Sequence, residues 1–397
     1  MRYHHAAARL YVTMHVGVVG AGIIGIASSY YLAARGIDVT VFDRASPGTG
    51  STGRANGGIR AQFTSPINVA LSQRSMAVWE TFEDRHDTDI GFRRPGYLFL
   101  AREDATAKRL RENVRTQQGF DVPSRYVSPT EAAEHCPRLA VDRFVGATYS
   151  PADGFADPHL ALQGFMASAR RLGVEVKAHR EVIGFEHDDD GVVRAIETDA
   201  GRERVDFVVN ATGPWARRVA GMVGRDLPVT PRRRSLSVLE PANPVDDSVP
   251  LTVDVDRDTH FRPERDGNVV AGGFFADADP ACDPDDYDER VSLDWGATLM
   301  EHLSDCASYF GPETRFRRGW SGLYAVTPDH HPIIEEAPPG FISAVGFSGH
   351  GFMHSPATGQ VVADLIERGS SPVVDVDQLD AGRFDRDEAL VERTILD

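Results

Sequence analysis

The segment Gly20-Ala21-Gly22-Ile23-Ile24-Gly25 constrains this chain more than any other. Before it, His15-Val16-Gly17-Val18-Val19 reads as a buried strand; after it, Ile24 to Ala34 reads as a helix. A second strand, Ile37 to Phe42, ends at Asp43, about 20 residues on from Gly22. Each glycine has its own task. The first makes a tight turn, the second lets a pyrophosphate approach the backbone, and the third lets helix and strand pack closely. The helix start offers N–H groups to phosphate, and Asp43 offers a carboxylate to a ribose hydroxyl. A dinucleotide-binding βαβ unit follows. The unit alone does not separate FAD from NAD.

Composition narrows the class. The 397 residues are 41% hydrophobic and 25% charged, enough for a large core and two packed units. The net charge of −17 argues against nucleic acid, and the one basic run, Arg232-Arg233-Arg234, is too short to reverse it. Lys108 and Lys177 are the sole lysines, a bias that suggests a surface adapted to high salt. Three cysteines, Cys136, Cys282 and Cys306, make no disulfide framework and point to a reducing cytoplasm. No CxxC or HExxH stands in the sequence, so no metal site is expected. Val16 to Ala34 is apolar enough to imitate a membrane span, but its glycines fit the nucleotide fingerprint better. Residues 1–13 read as a non-native or frayed extension ahead of Met14.

The expected fold class joins α/β with α+β: a Rossmann-like nucleotide-binding domain carrying an inserted antiparallel-sheet domain. Residues 14–90, 141–225 and 320–371 would form the first, 91–140 and 226–319 the second, and 372–397 an acidic tail. The loop 44–66 is longer than a usual crossover, is rich in glycine, and carries Arg54 and Arg60. A helix is expected over 67–83, one strand over 204–210, a helix over 291–310 and another from Ala357 to Glu367. His330 and His331 read as surface residues.

Five segments together resemble the D-amino-acid-oxidase-like FAD-dependent amine oxidoreductases, in the branch of sarcosine oxidase beta, sarcosine and dimethylglycine dehydrogenases and archaeal proline dehydrogenase beta. They are Val18 to Gly25 with Asp43, Gly57 to Phe63, Asn210 to Gly213, Trp320 to Asp329, and Gly346 to Phe352. The resemblance implies FAD. Gly20, Gly22, Ile23, Ile24 and Gly25 would hold its pyrophosphate, Asp43 and Arg44 its ribose side, and Val182 its adenine. Gly57, Gly58, Ala211, Thr212, Gly213 and Gly322 would line the cofactor, and Gly349, His350, Gly351, Phe352 and Met353 would face the pyrimidine edge of the flavin. Arg60, Tyr324 and His350 are the implied catalytic residues. The implied reaction removes a hydride equivalent from the carbon beside nitrogen of a secondary or D-amino acid, and the imine then hydrolyses.

Departures from the family pattern refine this. Some relatives attach flavin to a cysteine where this chain has Gly322, so noncovalent FAD is expected. Met353 replaces a lysine that holds the substrate carboxylate in monomeric sarcosine oxidases. Arg60 and one of Arg232 to Arg234 are the replacements suggested by charge. No lysine stands where oxidases use one to help oxygen react, which favours a dehydrogenase with an acceptor subunit, quinone or ferredoxin as its partner, cytoplasmic or peripheral at a membrane. The alternatives are a beta-type subunit of a larger dehydrogenase, a non-catalytic FAD-binding assembly factor, and, more weakly, an NAD-dependent dehydrogenase.

Overall fold

The computed structural model describes residues 14–275 and 281–393; the extension expected over 1–13 lies outside them. Among the described residues the two main layers are a six-stranded and an eight-stranded sheet. The first is built on the fingerprint. The strand His15–Val19 pairs in parallel with Asp38–Asp43 on one side and Phe207–Asn210 on the other. Glu175–Ala178, Phe341–Val345 and Ile333–Glu336 complete the sheet, the last antiparallel. Parallel sheets are covered on both faces, which is why these strands are nearly continuous apolar runs. The helix Ile23–Ala33 is buried on almost every side, packed between the helices Pro158–Arg171 and Gly351–Arg368. Its all-round apolarity is that of a core helix. No helix among the described residues is long and apolar enough to cross a membrane.

The eight-stranded sheet runs Arg315–Val326, Thr230–Glu240, Val269–Gly273, Thr259–Pro263, Leu251–Asp254, Tyr97–Ala101, Gly146–Ser150, Arg125–Val127. It is antiparallel except where Leu251–Asp254 meets Tyr97–Ala101. Strand alternation divides its residues between two faces. Leu98, Leu100, Phe261 and Ala271 face a core with Trp295, Leu299 and Leu303 of the helix Leu293–Cys306, which Ser292 caps. The other face covers the cleft described below. Gly146–Ser150 and Arg315–Val326 belong to this sheet, although the expected division placed residues 141–225 and 320–371 with the nucleotide unit.

Several local expectations are corrected. The helix expected over 67–83 is two, Pro66–Trp79 and Phe82–His86, separated at Thr81. The strand expected over 204–210 is also two. The chain leaves the antiparallel pairing after Arg204 and enters the parallel sheet at Phe207, with Asp206 accepting from the His15 amide at 2.8 Å. The last helix starts at Gly351, six residues before the expected Ala357. Pro356 sits inside it and has no N–H for the Phe352 carbonyl; the Ser355 hydroxyl donates to that carbonyl instead, at 2.9 Å. His331 is buried, not exposed, with Nε2 2.8 Å from Ser65 Oγ.

The described part of the acidic tail is docked. Arg383, 1% exposed, donates to both Asp329 carboxylate oxygens at 2.8 and 2.9 Å. Glu392 accepts from the amides of Thr64 and Ser65 at the start of the helix Pro66–Trp79, where a helix dipole favours a carboxylate.

Candidate active site

A cavity of about 510 Å³ lies between the two sheets, and 20 of the 21 cofactor and catalytic candidates line it. Gly25 is the exception. It lies behind the cleft, where a Cβ would collide with the Gly20 carbonyl oxygen, so its part is the close packing of helix on strand. Gly20 has φ +104°, and a Cβ there would stand 2.6 Å from the Ala211 carbonyl oxygen. Only glycine suits that turn.

At the nucleotide end, the two oxygens of Asp43 accept from the amides of Ala21 at 2.7 Å and Ala45 at 2.8 Å. Burial raises the pKa of this carboxyl, and these amides work against the rise. The Ile23 amide, at the start of the helix, donates to Thr52 Oγ1 at 3.0 Å. The Arg44 guanidinium lies 4.5 Å from the centre of the Trp215 ring. Above them, Asp285 accepts from Trp215 Nε1 at 2.8 Å and from Arg44 and Arg218. The bond from Arg44 leads in holding this carboxyl at a pKa of about 2. The segment around Asp285 therefore reaches from the eight-stranded sheet across to the nucleotide unit. Nothing in the acidic run 277–289 singled out Asp285, and Thr52 was equally silent; both depend on tertiary placement.

Arg60 is buried, with Nη1 donating to the Gln62 carbonyl at 2.6 Å and its guanidinium 3.9 Å from the Phe63 ring centre. Its Nη2 lies 3.4 Å from His350 Nε2. A guanidinium only donates, so Nε2 is the acceptor and the ring proton sits on Nδ1. Burial, then Arg60, hold His350 neutral, with its pKa well below the usual value. Its Nδ1 is buried without a partner among the described residues. Tyr324 is enclosed beside Gly349, and burial raises its pKa. Met353 lines the cavity with its carbonyl accepting from Trp79 Nε1 at 3.0 Å.

Of the three consecutive arginines, Arg232 and Arg234 share a face of their strand, and only Arg234 lines the cavity. Arg234 stands opposite Gly322, its guanidinium 4.8 Å from the Phe274 ring centre and 5.3 Å from that of Tyr324. Arg232 and Arg233 do not line this cavity. Gly322 leaves room for Arg54, whose Cβ would be 2.8 Å from a Cβ added there. No cysteine and neither lysine lines the cleft. Among the described residues no group of side chains could hold a metal ion.

The buried histidines give the fold a pH signature. Burial lowers His260 to about 4, His354 to about 3, and His350 as well. The unfolded chain protonates these rings below about pH 6.5 while the fold does not, so stability falls as pH drops from there toward 4. Burial raises Asp153 to about 6, which acts in the opposite sense over about pH 4 to 6. Burial also lowers His86 to about 4 and lowers His331, and it raises Asp43 and Asp254; the histidines outnumber the carboxyls, so stability is lost on balance as pH falls from about 6.5 toward 4. Thermal unfolding at pH 7 and pH 5 checks this, and His354→Gln is expected to flatten the dependence.

A largely parallel sheet carrying the glycine fingerprint thus faces a largely antiparallel sheet across a deep cleft. Residues 15–365 match the family model of the FAD dependent oxidoreductases (DAO), and the chain belongs to that family. It is 30% identical to the glycine oxidase of Geobacillus kaustophilus (strain HTA426) over 366 residues, 89% of this chain and 93% of that one. It is 26% identical to human mitochondrial dimethylglycine dehydrogenase over 92% of its own length, spanning 44% of that protein. In structure it resembles L-proline dehydrogenase from P. horikoshii, with a TM-score of 0.88, 30% identity, and coverage of 95% and 99% of the two chains.

The cleft fits FAD. Glycines line the nucleotide side, where a Cβ at Gly22 would lie 3.3 Å from Thr52 Oγ1 and intrude on the crevice. At the far end, His350 holds an unmatched buried donor.

Proposed function

We propose that this chain oxidises an amino acid at the carbon bearing nitrogen, using noncovalently held FAD, and passes the electrons to an acceptor other than oxygen. The observation that carries the reading is the juxtaposition of Arg234 and Tyr324 with the glycine-lined cleft. FAD, when bound, supplies the acceptor for the hydride equivalent. The chain supplies orientation. Arg234 pairs with the substrate carboxylate, and stacking on Phe274 and Tyr324 holds its planar fork in place. Arg60 donates to the Gln62 carbonyl and faces His350. Its part is to fix the tautomer of His350, which lines the cleft at the start of the last helix. The amine enters as the free base, so no protein base is required.

Arg54 filling the space at Gly322, and the absence of cysteine from the lining, support a noncovalent cofactor. The absence of an ammonium group from the lining supports a dehydrogenase, with a quinone, a ferredoxin or a partner subunit as acceptor. The similarity to glycine oxidase favours oxygen as the second reading. Acid precipitation is expected to release all flavin into the supernatant. Turnover with an artificial dye is expected to exceed oxygen consumption at least tenfold; equal rates would establish an oxidase. Asp285→Asn, which removes the acceptor shared by Arg44, Arg218 and Trp215, is expected to raise the FAD dissociation rate several-fold, measured by recovery of flavin fluorescence.

A further inference from the structure

The face of the eight-stranded sheet that covers the cleft has a defined composition. Residues paired across strands point to the same side, so the registers can be followed across the sheet. Phe99 pairs with Val253, Val253 with His260, His260 with Gly272, and Gly272 with Leu236. One pleat over, Tyr97 pairs with Leu251. Two residues before Leu236 on the same strand, and so on the same face, stands Arg234.

This row is a wall of buried apolar side chains. Phe99, Val253, Leu251 and Leu236 are each less than a tenth exposed, and all line the cavity. Gly272 lets the row close up: a Cβ there would stand 2.7 Å from Leu236 and 2.8 Å from His260. His260 adds no charge, since burial holds it neutral with a pKa of about 4. The wall also closes on the glycine loop, because a Cβ at Gly58 would collide with the Tyr97 hydroxyl and lie 3.7 Å from Leu251. Among the described residues the acids that line the cavity are Asp43, Glu181 and Asp285, and they belong to the nucleotide end. A cationic side chain against the wall would therefore meet no counter-charge among the described residues, and burying one unpaired is costly. A glycine-sized substrate would leave the wall without a partner.

From this wall we infer the substrate class: an amino acid with an apolar side chain or ring of at least three carbons, its carboxylate at Arg234 and its side chain on the row Phe99–Val253–Leu236. The inference rests on the reading of the cleft as an amino-acid site. It ranks such substrates above glycine and sarcosine, and above acidic and basic amino acids.

Simple carboxylates test the wall without turnover. The FAD-loaded protein is titrated with acetate, isovalerate, 3-phenylpropionate and succinate, and binding is read from the change in flavin absorption. Each methylene that reaches an apolar pocket is worth several-fold to tenfold. Isovalerate is expected to bind at least about 30-fold tighter than acetate, and succinate no tighter than acetate. Val253→Thr, nearly isosteric, is expected to weaken isovalerate several-fold more than acetate. Acetate binding as tightly as isovalerate, or succinate binding tightest, overturns the inference.

Anaerobic reduction separates this outcome from the activity itself. Flavin reduced faster by leucine, phenylalanine or proline than by glycine or sarcosine supports the substrate class. Flavin reduced fastest by glycine or sarcosine overturns it and leaves the amine-oxidising activity standing. An apolar preference among the carboxylates with no reduction by any amine upholds the wall and overturns the activity.

Discussion

Arg234→Met is expected to lower kcat/KM for the preferred amino acid by two to three orders of magnitude, roughly 3–4 kcal/mol, with FAD content unchanged. The reason lies in register. Arg234 faces the cleft opposite Gly322, beside the rings of Phe274 and Tyr324, on the strand that also carries Leu236 into the apolar wall. Truncating one partner of a desolvated charge pair leaves the other buried and unpaired. Methionine keeps most of the volume and the contact with the rings, so the loss reports the guanidinium. The loss is expected mainly in KM and in the binding of carboxylate inhibitors. Arg233→Met, one residue away and outside the cavity lining, is expected to change kcat/KM less than threefold. Steady-state kinetics on the two variants checks the contrast; equal losses would show that local strand stability, not carboxylate binding, is being read.

Arg383→Met is expected to destabilise the fold by about 3–5 kcal/mol, the cost of leaving one member of a buried pair alone. Arg383 and Asp329 are each 1% exposed at the side chain and meet through two bonds of 2.8 and 2.9 Å. Arg383 Nη2 also donates to the His331 carbonyl at 3.0 Å, and the His331 ring reaches Ser65. The pair thus ties the tail to the turn after Tyr324 and to the start of the helix Pro66–Trp79. Asp329→Asn is expected to cost a similar amount, and the double variant less than the sum, because the two share one interaction. Chemical denaturation of the three variants checks this. Additive losses would mean that each side chain acts through separate contacts.

The βαβ unit was legible because its signals are local. Strand, glycines, helix and Asp43 stand within one short stretch, and each has a single physical reason to be there. The second domain was legible as an antiparallel sheet, but the order of its strands was not, and Arg125–Val127 and Gly146–Ser150 were not foreseen as strands. The parallel pairing of Leu251–Asp254 with Tyr97–Ala101 joins segments far apart in sequence, and no local pattern specifies it. The same limit applies to the site. Charge offered Arg232, Arg233 and Arg234 equally; strand alternation turns Arg233 away, and only the position along the strand brings Arg234 rather than Arg232 to the cleft. His260 and Leu236 drew no notice, since neither belongs to a motif; they meet because Gly272 stands between them. The tail read as acidic, and its few anchoring residues, Leu379, Arg383 and Glu392, are too sparse to form a periodic signal. His331 read as exposed because it lies in a polar turn, and the partner that buries it, Ser65, is remote in sequence.

The most direct test of the account is the anaerobic visible spectrum of the FAD-loaded protein during titration with leucine, phenylalanine and proline, in both enantiomers where they exist. The account predicts flavin bands near 450 nm that bleach with at least one of these amino acids and return on addition of an artificial electron-accepting dye. Flavin bands that stay unchanged with every amine would contradict the catalytic reading, and a purified protein that takes up no flavin would contradict the assignment of the glycine-lined cleft.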